Sequence, residues 1–375
     1  MLIHDLRVRA SAGGAEISAN IDTERVTLRY SESMPLVSNG DAFVAIALGR
    51  AMERGETLHV SPDIPVSARL LWGLATYQDV YVDWWPHLHL VKIDAPAATQ
   101  SSTPGTRVGC FFSGGVDSLY TFIRHREEID DLILCRGLEI AHDETERWKL
   151  AVEAMARFAA DAGKRLVCID TDAKKRFQCN RNINYGAILI GAAIPLGYER
   201  LIVPSGSSYR NPFPWGTHPL IDPLLSTDTT FVIHDGAASR ADKTQLIAAT
   251  RIGLDSLRVC NRSAAYNCGV CEKCLRTMSA LASLATESKM LPPFDPGALR
   301  SLRLENLLVV GFWRENLALA QSRGQNHHAR AIAALLAKHE RRKRLRSIDE
   351  RWLGSAGVHL LRMARRVRGR LFGEG

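Results

Sequence analysis

Apolar and polar residues change their spacing along this 375-residue chain. Near the N-terminus they alternate singly, in Leu6-Arg7-Val8-Arg9, Ala15-Glu16-Ile17-Ser18 and Val26-Thr27-Leu28-Arg29-Tyr30. A period of two predicts strands with one face on a core and the other in water. From Asp41 to Glu53 the period lengthens, and Phe43, Ile46, Ala47 and Met52 fall on or near one face of a helix. Leu58-His59-Val60 and Asp79-Val80-Tyr81-Val82 predict further strands, and the aromatic-rich patch of Trp84, Trp85, His87 and His89 reads as packing. Ala95 to Thr106, rich in Pro, Ser, Thr and Ala, predicts a linker centred on 96–106. Residues 1–95 are therefore expected to form an α+β accessory unit.

Beyond Arg107 short apolar runs alternate with helical stretches. Val108–Phe112, Leu132–Arg136, Leu166–Asp170, Leu201–Pro204 and a segment near Thr230–His234 predict buried strands. Leu119 onward, Glu144–Ala162 and Ile183–Leu196 predict helices. Such alternation implies an α/β fold over 107–258, a doubly wound parallel sheet covered on both faces. From Pro292 helices dominate: Leu302–Leu319, His327–Leu345 and a basic amphipathic Val358–Phe372 make a helical C-terminal region, 291–375.

Ligands of a doubly wound sheet bind beyond the carboxyl ends of its strands, which singles out four segments. The first is Ser113-Gly114-Gly115-Val116-Asp117-Ser118, between a strand and a helix. Adjacent glycines let backbone approach a ligand closely, two serines supply hydroxyls, and the helix N-terminus favours an anion. The spacing is neither a Walker A loop nor GxGxxG. A phosphate is expected here; the plain alternative is a Ser/Gly turn capping a helix. The second and third are Gly137-Leu138-Glu139 with His142 and Asp143, and Asp170 with Asp172. His142 can bind nucleotide or substrate, or sit in a solvated loop. The fourth is the irregular stretch 205–219, whose Ser207, Ser208, Tyr209 and Arg210 are candidate substrate contacts, with Asn211, Trp215 and His218 nearby; a packed proline loop explains it equally. Arg240-Ala241-Asp242-Lys243-Thr244 then opens a helix, whose plain reading is an Asp242 cap with Lys243 on the surface.

The eight cysteines divide evenly: Cys110, Cys135, Cys168 and Cys179 are scattered, whereas Cys260, Cys268, Cys271 and Cys274 are clustered. Cys-x7-Cys-x2-Cys-x2-Cys suits tetrahedral Zn2+, with Leu275–Ala285 as an anchoring helix, a knuckle over 259–290. Cys-x2-Cys-x2-Cys also occurs in iron–sulfur proteins, but Leu275-Arg276-Thr277-Met278 follows where a ferredoxin run needs Cys-Pro. MLIHDLRVRAS lacks a signal-peptide core and no apolar run reaches the ~18 residues of a membrane span, so a cytoplasmic location is expected. The net charge of +8 belongs to the tail: residues 325–375 carry 13 Lys and Arg against 4 Asp and Glu, the remainder 35 against 36. That tail can lie in solvent, or meet RNA or an anionic surface.

SGGVDS, Ser113 to Ser118, resembles the SGGxDS pyrophosphate loop of the PP-loop ATP pyrophosphatases, with a HUP-type, Rossmann-like fold. Together with Cys260, Cys268-Gly269-Val270-Cys271 and Cys274, it resembles the 7-cyano-7-deazaguanine synthase branch over roughly 107–285. The resemblance implies that Ser113, Gly114, Gly115, Val116, Asp117 and Ser118 bind ATP, that Asp117 orients the loop or touches Mg2+, that Asp117, Ser118 and Lys243 serve catalysis, and that the four cysteines hold structural Zn2+. It implies adenylation of a substrate carboxylate with release of pyrophosphate, then attack by ammonia to give an amide or nitrile. SYRNPFPWGTHP stands where the synthases carry a Tyr-Pro-Asp-Cys-Arg-type substrate segment, so the acceptor acid stays open. Two other classes fit the same residues: a PP-loop sulfurtransferase acting on tRNA, and a non-catalytic nucleotide-binding scaffold. A homodimer is compatible with each.

Overall fold

The computed structural model describes every residue except 12, 99–104, 180–182, 211, 261–265, 305 and 353–375. The expected helix Val358–Phe372, most of the expected linker and Asn211 lie outside the described residues. The chain forms two compact units, one of 1–269 with 288–291 and one of 270–287 with 292–375.

The first unit is built on a ten-stranded, mostly parallel sheet. In chain order its elements are β1 (Leu2–Ser11), β2 (Gly14–Ile21), β3 (Glu24–Tyr30), α1 (Asp41–Arg54), β4 (Leu58–Val60), α2 (Ala68–Trp84), β5 (Ile93–Asp94), β6 (Val108–Phe111), α3 (Val116–Arg124), β7 (Asp131–Arg136), α4 (Thr145–Ala162), β8 (Arg165–Thr171), α5 (Ala173–Phe177), α6 (Tyr185–Ala193), β9 (Arg200–Pro204), β10 (Phe231–Asp235), α7 (Arg240–Ala248) and α8 (Arg251–Ser256). The strand order is β10-β9-β6-β7-β8-β3-β2-β1-β4-β5. From β10 to β8 every pairing is parallel. Both faces of the central strands are covered: β6 is wholly buried, and so is β7 except for Arg136. Phe111, Ile133, Cys135, Val167 and Ile169 join the core with α1 and α6. Around Phe112, beyond β6, Phe158 of α4 stacks at 4.6 Å and Phe122 of α3 meets it edge-on at 5.9 Å.

Two expectations give way to the tertiary structure. Residues 1–95 do not make a sheet of their own. β3 pairs antiparallel with β8, Leu28 opposite Thr171 and Tyr30 opposite Ile169, and the Tyr30 hydroxyl donates to the Ala192 carbonyl at 2.9 Å. Their apolar faces enter the same core as the parallel strands. Without β3, β8 would be an exposed edge of unpaired amides and carbonyls. Asp79–Val82 is not a strand but the end of α2. Leu70, Leu74, Tyr77 and Tyr81 of that helix are buried at spacings of four, three and four, a helical stripe that outweighs the strand preference of Val-Tyr-Val.

The amino ends of the central strands are tied by one carboxylate. Asp131, fully buried at the start of β7, accepts from Arg107, from Arg165 at 2.7 and 3.0 Å, and from the Tyr198 hydroxyl at 3.0 Å. The second unit carries α9 (Glu272–Ser283), α10 (Leu307–Ser322) and α11 (Asn326–Trp352). Its centre is Trp313, fully buried, whose indole N–H donates to Glu272 at 3.0 Å. Replacing Asp131 with Ala leaves two guanidinium groups and a phenol without their acceptor. Asp131→Ala is expected to lose about 3 kcal/mol of stability, read from the urea midpoint at constant slope.

Candidate functional site

The chain runs from β6 through β7 to β8 on one side, then returns to place β9 and β10 on the other. β6 and β9 therefore flank a switch point, where connections leave in opposite directions and a crevice opens beyond the strand ends. The Ser113–Ser118 loop follows β6 and the Ser205–Tyr209 stretch follows β9.

The loop is held by its own serines. The Ser113 amide donates to Ser118 Oγ at 3.2 Å, the two hydroxyls lie 3.4 Å apart, and the Ser118 hydroxyl donates to the Gly115 carbonyl at 3.2 Å. α3 starts three residues earlier than its apolar pattern suggests, with Gly115 at its N-cap. Gly114 has φ +73°, a conformation that favours glycine. A Cβ there would meet Met155 Cε at 2.8 Å and Arg258 Cβ at 3.3 Å. The left-handed φ favours this glycine, and the flexible end of Met155 would have to shift for any larger residue.

Asp117 anchors the other side of the loop. Its Oδ2 accepts from Arg240 Nη1 at 2.8 Å and its Oδ1 from Lys243 Nζ at 3.1 Å. Burial pushes this carboxyl up, but the charges and hydrogen bonds of Arg240 and Lys243 prevail and hold it well below the usual carboxylate range. Each oxygen of Asp117 already serves a cation, so its carboxylate fits the task of orienting better than that of a Mg2+ ligand. Lys243 is not a surface residue: it is 1% exposed, and its ammonium also donates to the Ser205 carbonyl at 2.5 Å. It thereby joins the turn after β6 to the turn after β9. Asp242 makes a capping box with Ser239 and is a helix cap, whereas its neighbour Lys243 is buried.

The remaining candidates are scattered. His142 Nε2 lies 3.0 Å from Asp170 Oδ1, beyond β7 and β8, and no hydrogen bond described for His142 reaches the loop. Ser207 closes a small turn with Ser205, its amide 3.2 Å from Ser205 Oγ. Ser208 is half-buried and Arg210 exposed. Tyr209 is 47% exposed, and its amide and hydroxyl bond the Gly236 and His234 carbonyls at the end of β10. Buried His234 holds Asp222 at 2.7 Å through Nδ1. Burial pushes Asp222 up against that bond, and burial with the His234 charge pushes His218 down to about 4. Neither Asp222 nor His234 stood out in sequence, because their twelve-residue separation matches no motif. A cavity of about 540 Å³ near Ile21, Glu24, Arg50, Lys175 and Arg176 contains none of the expected site residues; there Arg50 pairs with Glu53, and Arg176 with Glu24 and Asp172.

The segment after α8 carries the four clustered cysteines, the candidate metal ligands. The thiol sulfurs of Cys260, Cys268, Cys271 and Cys274 lie within 4.8 Å of one another. Tetrahedral zinc–thiolate bonding puts sulfurs about 3.8 Å apart, so small side-chain shifts suffice, and the four-cysteine set suits a metal such as zinc. Asn267 positions this segment. Its Oδ1 accepts the Val259 and Cys260 amides at 2.8 and 3.2 Å, and its Nδ2 donates to the Leu257 and Met290 carbonyls at 2.9 and 2.8 Å. Two residues before Cys260, the Arg258 amide donates to the Gly114 carbonyl at 2.7 Å. The metal segment and the loop are therefore joined directly. Burial and the neighbouring Arg147 charge push the Arg258 guanidinium below its ordinary range.

No described helix is long and apolar enough to cross a membrane. Comparison with protein-family models, with curated proteins and with solved structures found no match in any of the three.

Two measurements follow from this geometry. Purified chain is expected to carry about one Zn2+, falling below half in Cys271→Ser, by elemental analysis; iron with visible absorption would contradict zinc. Asp117→Asn strands the buried ammonium of Lys243 and is expected to cost about 3 kcal/mol in equilibrium unfolding at pH 7. Lys243→Met leaves Asp117 with Arg240 and is expected to cost about half as much.

Proposed function

We propose that the first unit binds ATP at the Ser113–Ser118 loop and transfers AMP to a substrate carboxylate, as a PP-loop ATP pyrophosphatase would. One observation carries this reading: the SGGVDS turn lies at the carboxyl end of β6, beside the switch point, with Lys243 buried between it and the turn after β9. An anion at a helix N-terminus gains from outward-pointing amides and the helix dipole, and this turn begins α3.

In this reading Ser113, Gly114, Gly115, Val116 and Ser118 hold the outer two phosphates. Asp117 fixes Arg240 and Lys243 so that their charge faces the phosphates without searching for a position. A carboxylate oxygen of the acceptor attacks the α-phosphorus, the bond to the bridging oxygen breaks, and pyrophosphate leaves. Ammonia then adds to the acyl carbon, AMP departs with the electron pair of the C–O bond, and one proton is lost, giving an amide. A second round of activation at the amide oxygen would dehydrate it to a nitrile. Mg2+ would supply charge neutralisation on the phosphates. Zn2+ held by Cys260, Cys268, Cys271 and Cys274 would be structural, because four thiolates leave no open position. Ser207, Ser208, Tyr209 and Arg210 flank the crevice after β9 and are the proposed acceptor contacts; His142 is more remote. A reducing cytoplasm would keep the four thiols available for metal.

The test is a pyrophosphate-release screen of carboxylic acids with ATP, Mg2+ and ammonia. Release that depends on one acid, reduced at least tenfold in Ser118→Ala, is the expected result. ATP binding with no release for any acid would favour a nucleotide-binding scaffold. Release that depends on tRNA and a sulfur donor would favour a sulfurtransferase.

A further inference from the structure

We infer that the cleft of about 540 Å³ between α1, α5 and the β2–β3 turn is a second ligand site, which binds a small organic dianion, a phosphate monoester or a dicarboxylate. Its walls share no residue with the Ser113–Ser118 loop, and the inference does not depend on the nucleotide reading.

Two helices bring cations to this cleft. Arg50 and Arg54 are one turn apart at the end of α1, so both side chains leave the same face. Lys175 and Arg176 come from α5, which follows the carboxyl end of β8. The carboxylates in the wall are Asp22, in the β2–β3 turn, and Glu24, at the start of β3. Its apolar part includes the buried side chains of Ile21 and Phe177. The volume is in the range of small-molecule sites, ~300–1,000 Å³.

The charges of the wall are unevenly committed. Asp22 Oδ1 accepts the Leu2 amide at 2.7 Å. Glu24 pairs with Arg176, which also holds Asp172 at 2.8 Å. Arg50 gives Nη1 to Glu53 at 2.8 Å, while its Nη2 has only a 3.5 Å contact with the Gln178 carbonyl. The other two cations are less compensated. Among the described residues, the ion pair of Arg54 is a loose one, 3.9 Å from Glu56, and Lys175 has no hydrogen bond or ion pair. The Arg54 side chain is 50% exposed and Lys175 is exposed, so a ligand can reach both from solvent.

Like charges one turn apart on a helix repel, and Lys175 facing the same cleft adds to the repulsion. An anion among them relieves it and accepts charge-assisted hydrogen bonds from the guanidinium forks. Both carboxylates in the wall already accept from the protein, so the cleft offers donors to a ligand. Two under-compensated cations match two negative charges, and Ile21 and Phe177 can cover the carbon body of the ligand. A phosphate monoester above its second pKa, ~6, carries that charge, and so does a dicarboxylate; a neutral sugar or a monocarboxylate does not.

The test uses the full chain with ribose 5-phosphate, succinate, acetate and ribose as probes, at matched ionic strength and a pH of about 7.5. Ribose 5-phosphate or succinate is expected to protect Arg54 from phenylglyoxal, mapped by mass spectrometry, and to bind with a Kd of about 1 mM or tighter by calorimetry. Whichever of the two protects identifies the ligand as a phosphate ester or a dicarboxylate. Arg54→Gln and Lys175→Gln are each expected to weaken that binding about fivefold with the urea midpoint unchanged, since both side chains reach the surface. Ser118→Ala is expected to leave the protection of Arg54 in place, which separates the cleft from the phosphate loop. Protection of Arg54 by neither dianion, equal protection by acetate or ribose, or undiminished binding in the double variant Arg54→Gln with Lys175→Gln overturns the inference.

Discussion

A buried ammonium has few places to exist, and the candidate site is arranged around one. Lys243 needs an anion and hydrogen-bond acceptors within reach, because an unpaired charge in a protein interior is far costlier than a paired one. Asp117 supplies the anion and the Ser205 carbonyl a further acceptor. Those partners belong to the turns after β6 and β9, so satisfying one side chain fixes the spacing of two loops across the switch point. Arg240 takes the second oxygen of Asp117, which keeps the carboxylate ionised and aligned. Asp117 is in the first turn of α3 and Lys243 on α7, so their pairing also sets how these two helices meet.

The other side of the loop is set by packing. Gly114 is crowded by Met155 of α4 and by the chain at Arg258. From Arg258 the chain passes directly to Val259 and Cys260, whose amides are held by Asn267. A metal drawing Cys260, Cys268, Cys271 and Cys274 together would stiffen a segment that already touches the loop. The N-terminal strands act at a distance from all this. They seal the β8 edge through Leu28, Arg29 and Tyr30, so that the parallel strands carrying the site are flanked on that side by paired backbone.

Much of this was legible in sequence, for reasons that are local. Five apolar runs alternating with helical stretches foretold the parallel strands, since a strand buried on both faces can afford no polar alternation. Ser113–Ser118 was placed between strand and helix by the same pattern, and the cysteine spacing over fifteen residues indicated a metal centre. The misses are equally physical. Val80-Tyr81-Val82 has strand-like composition, and only the burial of Leu70, Leu74, Tyr77 and Tyr81 together shows that a helix prevails. Residues 1–95 showed no dependence on the rest, because the β3–β8 ladder is backbone pairing that leaves no side-chain signature.

The sequence by itself determined the element types, the turn chemistry at Gly114 and Gly115, and a four-thiol centre, since each depends on residues close together in the chain. Only the tertiary structure decided that Lys243 is buried against Asp117, that the Arg258 amide meets the Gly114 carbonyl, and that His234 finds Asp222. Those facts depend on which strands are neighbours and which helices cross them. Strand order is set by the whole core closing over both faces of the sheet, and no short stretch of residues carries it.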